Sequence, residues 1–293
     1  MITATALVAA AYVFPTPHAD VRHAARKPGP TPTRTDNGVR VWKNLRYADG
    51  GNAKVDVYRP AHTTRRIPGV VVVHGGAWKD GDKGRMSSVS SWIARSGLVA
   101  YSVNYVLARD SRPGYPAQLR QLRSAVRWAR RTSRRFGLVR RRIGALGTSA
   151  GGHLVGLLAT KGRGPLTKGP RVSAVATWSA PLDLAPLLET RMATSINTLL
   201  GCLSDPCPDR AVAASPITHV SADDSPLLLV NSRDELVPAS QARRMADRLS
   251  AAGVLHRVQL LRGSAHAMGY ADRAIERTIG FLRRRLGGRP PTS

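Results

Sequence analysis

The chain has 293 residues, long enough for one large hydrophobic core and a short tail, and its 42% hydrophobic and 22% charged composition excludes global disorder and a polytopic membrane protein. Lys and Arg outnumber Asp and Glu by 45 to 18, a balance that raises nucleic acid, anionic surfaces or acidic substrates as partners. No nucleic-acid motif with interleaved aromatic residues accompanies the charge, so no specific nucleic acid is expected. The basic residues read as a solvated surface, with nonspecific adhesion to polyanions or anionic surfaces as a side effect.

In chain order, the apolar run Ile2 to Phe14, followed by Pro15 and Pro17, marks residues 1–25 as a signal-peptide-like leader or a retained N-terminal anchor. No Lys or Arg precedes the run, and no clean Ala-x-Ala site follows it. Residues 26–38 read as a Pro-rich exposed linker, 39–287 as one folded α/β domain, and 288–293 as a disordered tail. Within the domain, strands are predicted at Ala53 to Tyr58, Val70 to His74, Leu98 to Asn104, Ile143 to Gly147, Val172 to Trp178, Leu227 to Asn231 and Val254 to Leu261. Helices are predicted at Met86 to Arg95, Tyr115 to Phe136, Ala150 to Thr160, Ser240 to Ala252 and Asp272 to Leu286. The second of these spaces its arginines around Leu119, Leu122, Val126 and Trp128, the pattern of an amphipathic helix with a basic outer face.

The runs GVVVVH and SPLLLVNS are continuously apolar, as strands are when helices cover both faces of a parallel sheet. Alternating strands and helices imply a doubly wound, mostly parallel sheet, in which ligands bind at the carboxyl ends of the strands. The stretch Pro181 to Ser215 breaks the alternation and is expected to form a small lid or cap. It contains the only cysteines, Cys202 and Cys207, spaced for a small disulfide loop and too few for a zinc site. With the apolar leader, such a disulfide suggests a secreted or cell-envelope protein.

The chemistry-bearing residues follow strands. Gly147-Thr148-Ser149-Ala150-Gly151 sits between a predicted strand and a predicted helix, the setting of a nucleophile elbow. A serine hydroxyl needs a base, and the base needs an orienting carboxylate. Asp234 follows the strand LLLVN and His266 follows the strand VQLL, in the chain order Ser, Asp, His. Glu235 adjoins Asp234 as the alternative acid, and Asp183 is a weaker one that reads as a helix cap. His18, His23, His62, His153, His219 and His256 fall in the tail, turns, a helix or a strand, leaving His266 as the histidine of a post-strand loop near the C-terminus. The run His74-Gly75-Gly76-Ala77-Trp78 supplies a glycine loop whose amides, with that of Ala150, are candidates for an oxyanion hole. Trp78, Tyr105 and Trp178, near strand ends, are candidate pocket residues.

These segments resemble the esterase and lipase branch of the α/β-hydrolases that carries an HGG motif, related to the hormone-sensitive lipase group and to bacterial feruloyl-esterase-like and kynurenine-formamidase-like enzymes. The resemblance runs from about Trp42 to Leu286 and rests on HGGAWKDGDK, YSVNYVLA, YPAQL, GTSAGGHL, SPITHVSADDSP and the DELVP and GSAH loops. It implies a triad of Ser149, Asp234 and His266, an oxyanion hole at Gly75, Gly76 and Ala150, hydrolysis of a small carboxylic ester without metal or organic cofactor, and an amidase such as an arylformamidase as the alternative. Ala77, where relatives often have a third glycine, and Thr148, where many carry Asp or Glu, depart from the pattern.

Overall fold

The computed structural model describes residues 31–50, 52–202 and 207–287. The apolar leader and the C-terminal tail lie outside the described residues. The strand Ile67–Val73 (β4) is buried at every position, as a continuous apolar run must be when both faces are covered. Around it forms one nine-stranded sheet, in the order β1-β2-β3-β5-β4-β6-β7-β8-β9. The other strands are Arg34–Asp36 (β1), Val39–Arg46 (β2), Lys54–Pro60 (β3), Val99–Val103 (β5), Leu138–Thr148 (β6), Val175–Trp178 (β7), Leu227–Ser232 (β8) and His256–Leu261 (β9). The pairings from β1 through β3 to β5 are antiparallel and those from β5 through β4 to β9 are parallel.

Crossover direction distributes the helices. The chain leaves β4 in one direction through Ser87–Arg95 (α1) to β5, then returns past β4 through Ala117–Arg131 (α2) to β6. Right-handed crossovers of opposite direction place their helices on opposite faces. Ala150–Thr160 (α3) and Ala239–Ala251 (α6) continue in the second direction and pack with α2 in one core, while Ala271–Leu286 (α7) joins α1 in the other. The reversal makes β4 the switch point, with the helices that follow β4 and β6 on opposite faces of the sheet.

The predicted start at Val39 falls short, because Arg34–Asp36 pairs with β2 as Arg34↔Val41, Thr35↔Arg40 and Asp36↔Val39. The cause is Asn37-Gly38, both at positive φ (46° and 74°), a two-residue hairpin turn. Within the segment from Pro181 to Ser215 the described residues form a 3-10 turn at Ala185–Glu189 and the helices Ala193–Leu200 (α4) and Pro208–Ala214 (α5). Ile196, Leu199 and Leu200 are buried, and the Leu199 carbonyl accepts from the amides of Gly114 and Tyr115 at 2.9 and 3.0 Å. Cys202 and Cys207 are joined by a disulfide, their Cα atoms 6.0 Å apart.

Candidate active site

The passage from β6 to α3 turns at Ser149, whose φ of 51° and ψ of −119° lie in a region that L-residues avoid. Only glycines permit so sharp a turn: a Cβ on Gly147 would fall 2.1 Å from the Gly151 carbonyl oxygen, and one on Gly151 would fall 2.3 Å from that of Val73. The strain is held by the Ser149 amide, which donates to Trp178 O at 2.7 Å. The hydroxyl is thereby left projecting at the N-terminus of α3.

His266 Nε2 stands 3.0 Å from Ser149 Oγ, and its Nδ1 contacts Glu235 Oε2. Because Nδ1–H donates to the carboxylate, Nε2 presents its lone pair to the serine hydroxyl. The acid beside the histidine is Glu235, and the choice of Asp234 is corrected. Strand β8 runs to Ser232, one residue beyond its predicted end, so the following turn directs Asp234 to solvent while its amide donates to Gly263 O at 3.3 Å. The longer Glu235 side chain, fully buried, reaches back under the imidazole. Its Oε1 accepts from Ser179 Oγ at 2.8 Å, Asn231 Nδ2 at 3.0 Å and the Ser232 amide at 2.8 Å. A buried carboxylate needs such donors to stay charged and fixed. Asp183 instead pairs with Arg244.

Ser179 is a participant that the sequence did not reveal. It follows β7 at a φ of 51°, donates to Glu235, accepts from the Ala267 amide at 2.8 Å and contacts Tyr270 Oη at 2.7 Å. One hydroxyl thus ties the loop bearing the acid to the loop bearing the base. Its only sequence signal is its place directly after the strand AVATW.

The glycine loop after β4 abuts the nucleophile: a Cβ on Gly75 would lie 3.1 Å from Ser149 Cβ. Gly76, Ala77 and Trp78 all have positive φ, at 121°, 47° and 63°. Two consecutive non-glycine residues in that region are costly and need restraint from outside the loop. Trp78 O accepts from the Ala108 amide at 2.9 Å and from Gln118 Nε2 at 2.8 Å, and Trp78 Nε1 donates to His153 Nδ1 at 3.0 Å. Tyr105 stacks on the His74 imidazole at 4.3 Å and donates its hydroxyl to His74 O at 3.1 Å. Trp178 packs near Tyr270 and donates to Thr278 Oγ1 at 2.9 Å. None of the three aromatics exceeds 1% exposure, so the structure places them in the scaffold behind the site and not on a pocket wall.

His153 packs and bonds locally, as expected for its place on α3. Since Nδ1 accepts from Trp78, the proton resides on Nε2, which donates to Ala214 O at 2.8 Å and joins the glycine loop to the helical insertion. Burial lowers its pKa to about 4, against a smaller opposing effect of the Ala214 bond. The folded state therefore binds fewer protons than the unfolded state between pH 4 and 6.5, and stability falls as pH falls through that window, by about 3 kcal/mol in all. Asp224, raised to about 6 by burial, acts in the opposite sense. The readout is accordingly the difference between wild type and His153→Asn in urea unfolding at pH 7 and pH 4.5: the variant should lose less stability on acidification.

Residues 55–249 match the model of the BD-FAE family. The chain belongs to the BD-FAE family. It is 30% identical over 223 residues to esterase LipC of Mycobacterium tuberculosis, covering 71% of this chain and 55% of that one. It is 28% identical over 148 residues to a kynurenine formamidase of Salmo salar, covering 50% and 48%. The chain thus spans about half the length of these curated relatives. Among solved structures, a truncated carbohydrate esterase from gut microbiota superposes with a TM-score of 0.76 at 22% identity, covering 88% of this chain and 99% of that one. At that identity the likeness bears on the fold, which is the α/β-hydrolase fold.

Proposed function

We propose that this BD-FAE member hydrolyses carboxylic esters through an acyl-enzyme on Ser149, with His266 as general base and Glu235 as the acid that orients it. The observation that carries the reading is the continuous relay Ser149 Oγ, His266 Nε2, His266 Nδ1, Glu235 Oε2 at the carboxyl ends of the strands. As Oγ attacks the ester carbonyl, its proton passes to Nε2, and Glu235 stabilises the resulting imidazolium. The same proton is then delivered to the departing alcohol. Water, deprotonated by His266 in turn, releases the acid and restores the serine.

The amides of Gly75, Gly76 and Ala150 are assigned to the oxyanion, with that of Ala77 alongside. Ala150 is the first residue of α3, where no carbonyl within the helix is available to its N–H. Export is part of the proposal and is supported by the Cys202–Cys207 disulfide.

The kynurenine formamidase relative favours one second reading, cleavage of an aryl formamide by the same groups. Rates on p-nitrophenyl esters of increasing chain length, compared with N-formylkynurenine, separate the two. Ester turnover with short acyl chains, together with fluorophosphonate labelling at Ser149, is expected. Labelling with turnover of the formamide alone would transfer the assignment to the amidase. Folded protein that neither labels nor turns over an ester would remove catalysis altogether.

A further inference from the structure

Topology sorts the charge of this protein. In the parallel region each helix returns antiparallel to its strands, so Ser149, Glu235 and His266 follow strand carboxyl ends while helix C-termini and strand starts share the opposite edge. The cations concentrate on that opposite edge. Arg131 is exposed at the end of α2, Arg134 and Arg135 between α2 and β6, and the start of β6 adds Arg140 and Arg141. Arg163 and Lys168 are exposed between α3 and β7, Arg65 and Arg66 immediately before β4, and Arg284 and Arg285 at the end of α7. Because β4, β6 and β7 are neighbours, and Arg142 donates to Gly287 O at 3.0 Å beyond α7, these groups lie along one edge of the sheet.

Carboxylates do not neutralise it. The Arg and Lys ion pairs among the described residues are Arg34–Asp36, Lys83 with Asp56 and Asp82, Arg85–Asp80 and Arg244–Asp183, none of them in this group. The acids at this edge in the topology are Asp36, at the end of β1 and paired with Arg34, Asp223 and Asp224, before β8, and Asp247, late in α6. Beneath the face lies Arg130, 4% exposed, which donates to the carbonyls of Gly169 at 3.0 Å, Arg171 at 2.6 Å, Leu166 at 3.3 Å and also Arg140. Burial and then Arg140 lower its pKa to about 10, so it stays charged at neutral pH. Carbonyl dipoles satisfy this guanidinium without cancelling its charge, and they knit the two connections into a rigid platform. Complementing helix dipoles explains a cation or two at a helix C-terminus, but not Arg65, Arg66, Arg140 and Arg141 at strand starts.

We propose that this amino-terminal edge of the sheet is a docking face for an anionic polysaccharide, which holds the enzyme with its catalytic mouth turned outward. Charge complementarity supplies the attraction. Among the described residues, the exposed large apolar ones are Val212, Leu236, Leu255 and Val258, none of them aromatic. The face therefore lacks both the apolar wedge that inserts into lipid and the stacking platform that binds single-stranded nucleic acid. A flexible polyanion carrying carboxylates or sulfates needs neither.

The test compares two full-length variants with the same charge change: Arg134→Glu, Arg135→Glu, Arg140→Glu and Arg141→Glu on the face, against Arg112→Glu, Arg191→Glu, Arg210→Glu and Arg273→Glu elsewhere. Binding of polygalacturonate and heparin is measured at about 0.15 M salt, beside phosphatidylglycerol vesicles and single-stranded DNA. The face variant is expected to lose at least about tenfold in affinity and to show a shallower salt dependence, the other variant less than about threefold. Turnover of a soluble ester by polymer-bound wild type should stay within about twofold of the free rate. Hydrogen-exchange protection of residues 131–142 and 163–168 by polygalacturonate, read on the wild type, decides the question even if the face variant does not fold. Equal losses in the two variants, absence of that protection, binding confined to vesicles or DNA, or competitive inhibition by the polymer would each overturn the proposal. The binding and exchange arms do not depend on the esterase reading.

Discussion

Replacing Glu235 by glutamine is expected to lower kcat/KM toward p-nitrophenyl acetate by about 10³-fold to 10⁴-fold, while Asp234→Asn stays within about twofold of wild type. Glutamine matches glutamate in volume, so the effect isolates charge and hydrogen-bond polarity. If its amide nitrogen faces His266, Nδ1 must become the acceptor, the proton moves to Nε2, and Ser149 then meets a donor where it needs an acceptor. If its amide oxygen faces His266, the NH2 group is driven against Ser179, Asn231 and the Ser232 amide, which donate to Oε1 in the native site. Neither orientation satisfies every partner, and both lose the negative charge that stabilises the imidazolium. Asp234, exposed and bonded only through its backbone to Gly263, has no such coupling. Steady-state rates for the two variants decide between the acids, and the reverse order of sensitivity would return the role to Asp234.

The difference between those two acids shows where sequence reading runs out. The elbow was legible because its glycines, its serine and the flanking strand and helix are all local. The parallel sheet was legible because burial on both faces leaves continuous apolar runs such as β4 and β8. Which of two adjacent carboxylates reaches a histidine 31 residues away depends on where β8 ends, and a shift of one residue turns a side chain to the other face. Ser179 was hidden for a related reason. Its importance comes from three partners, Glu235 in the loop after β8 and Ala267 and Tyr270 in the segment after β9, none of which is encoded near it. The tryptophans at positions 78 and 178 stand close to strand ends in sequence, but their rings point into the core, where their N–H groups find His153 and Thr278. The first strand, by contrast, had a local signal in Asn37-Gly38. A linker-like composition upstream concealed it.

Ser149→Ala should reduce kcat toward short-chain esters by about 10⁴-fold to 10⁶-fold with KM little changed, and should abolish fluorophosphonate labelling. The substitution removes one oxygen and leaves the positive φ of residue 149, its amide bond to Trp178 O and the packing of the elbow in place. Ser149 is half-buried and its Oγ contacts only His266, so the stability change should fall within about 1 kcal/mol, as checked by urea unfolding. Whatever rate survives measures the proposed oxyanion donors, the glycine loop and the Ala150 amide, acting on a water-driven reaction, since they do not depend on the nucleophile. Combining Ser149→Ala with Glu235→Gln then tests whether the relay acts as a unit. If Glu235 works only through His266 and Ser149, the double variant is no slower than Ser149→Ala alone. A further loss of 10³-fold would instead mean that Glu235 supports the histidine in activating water directly, a route in which Ser149 is dispensable.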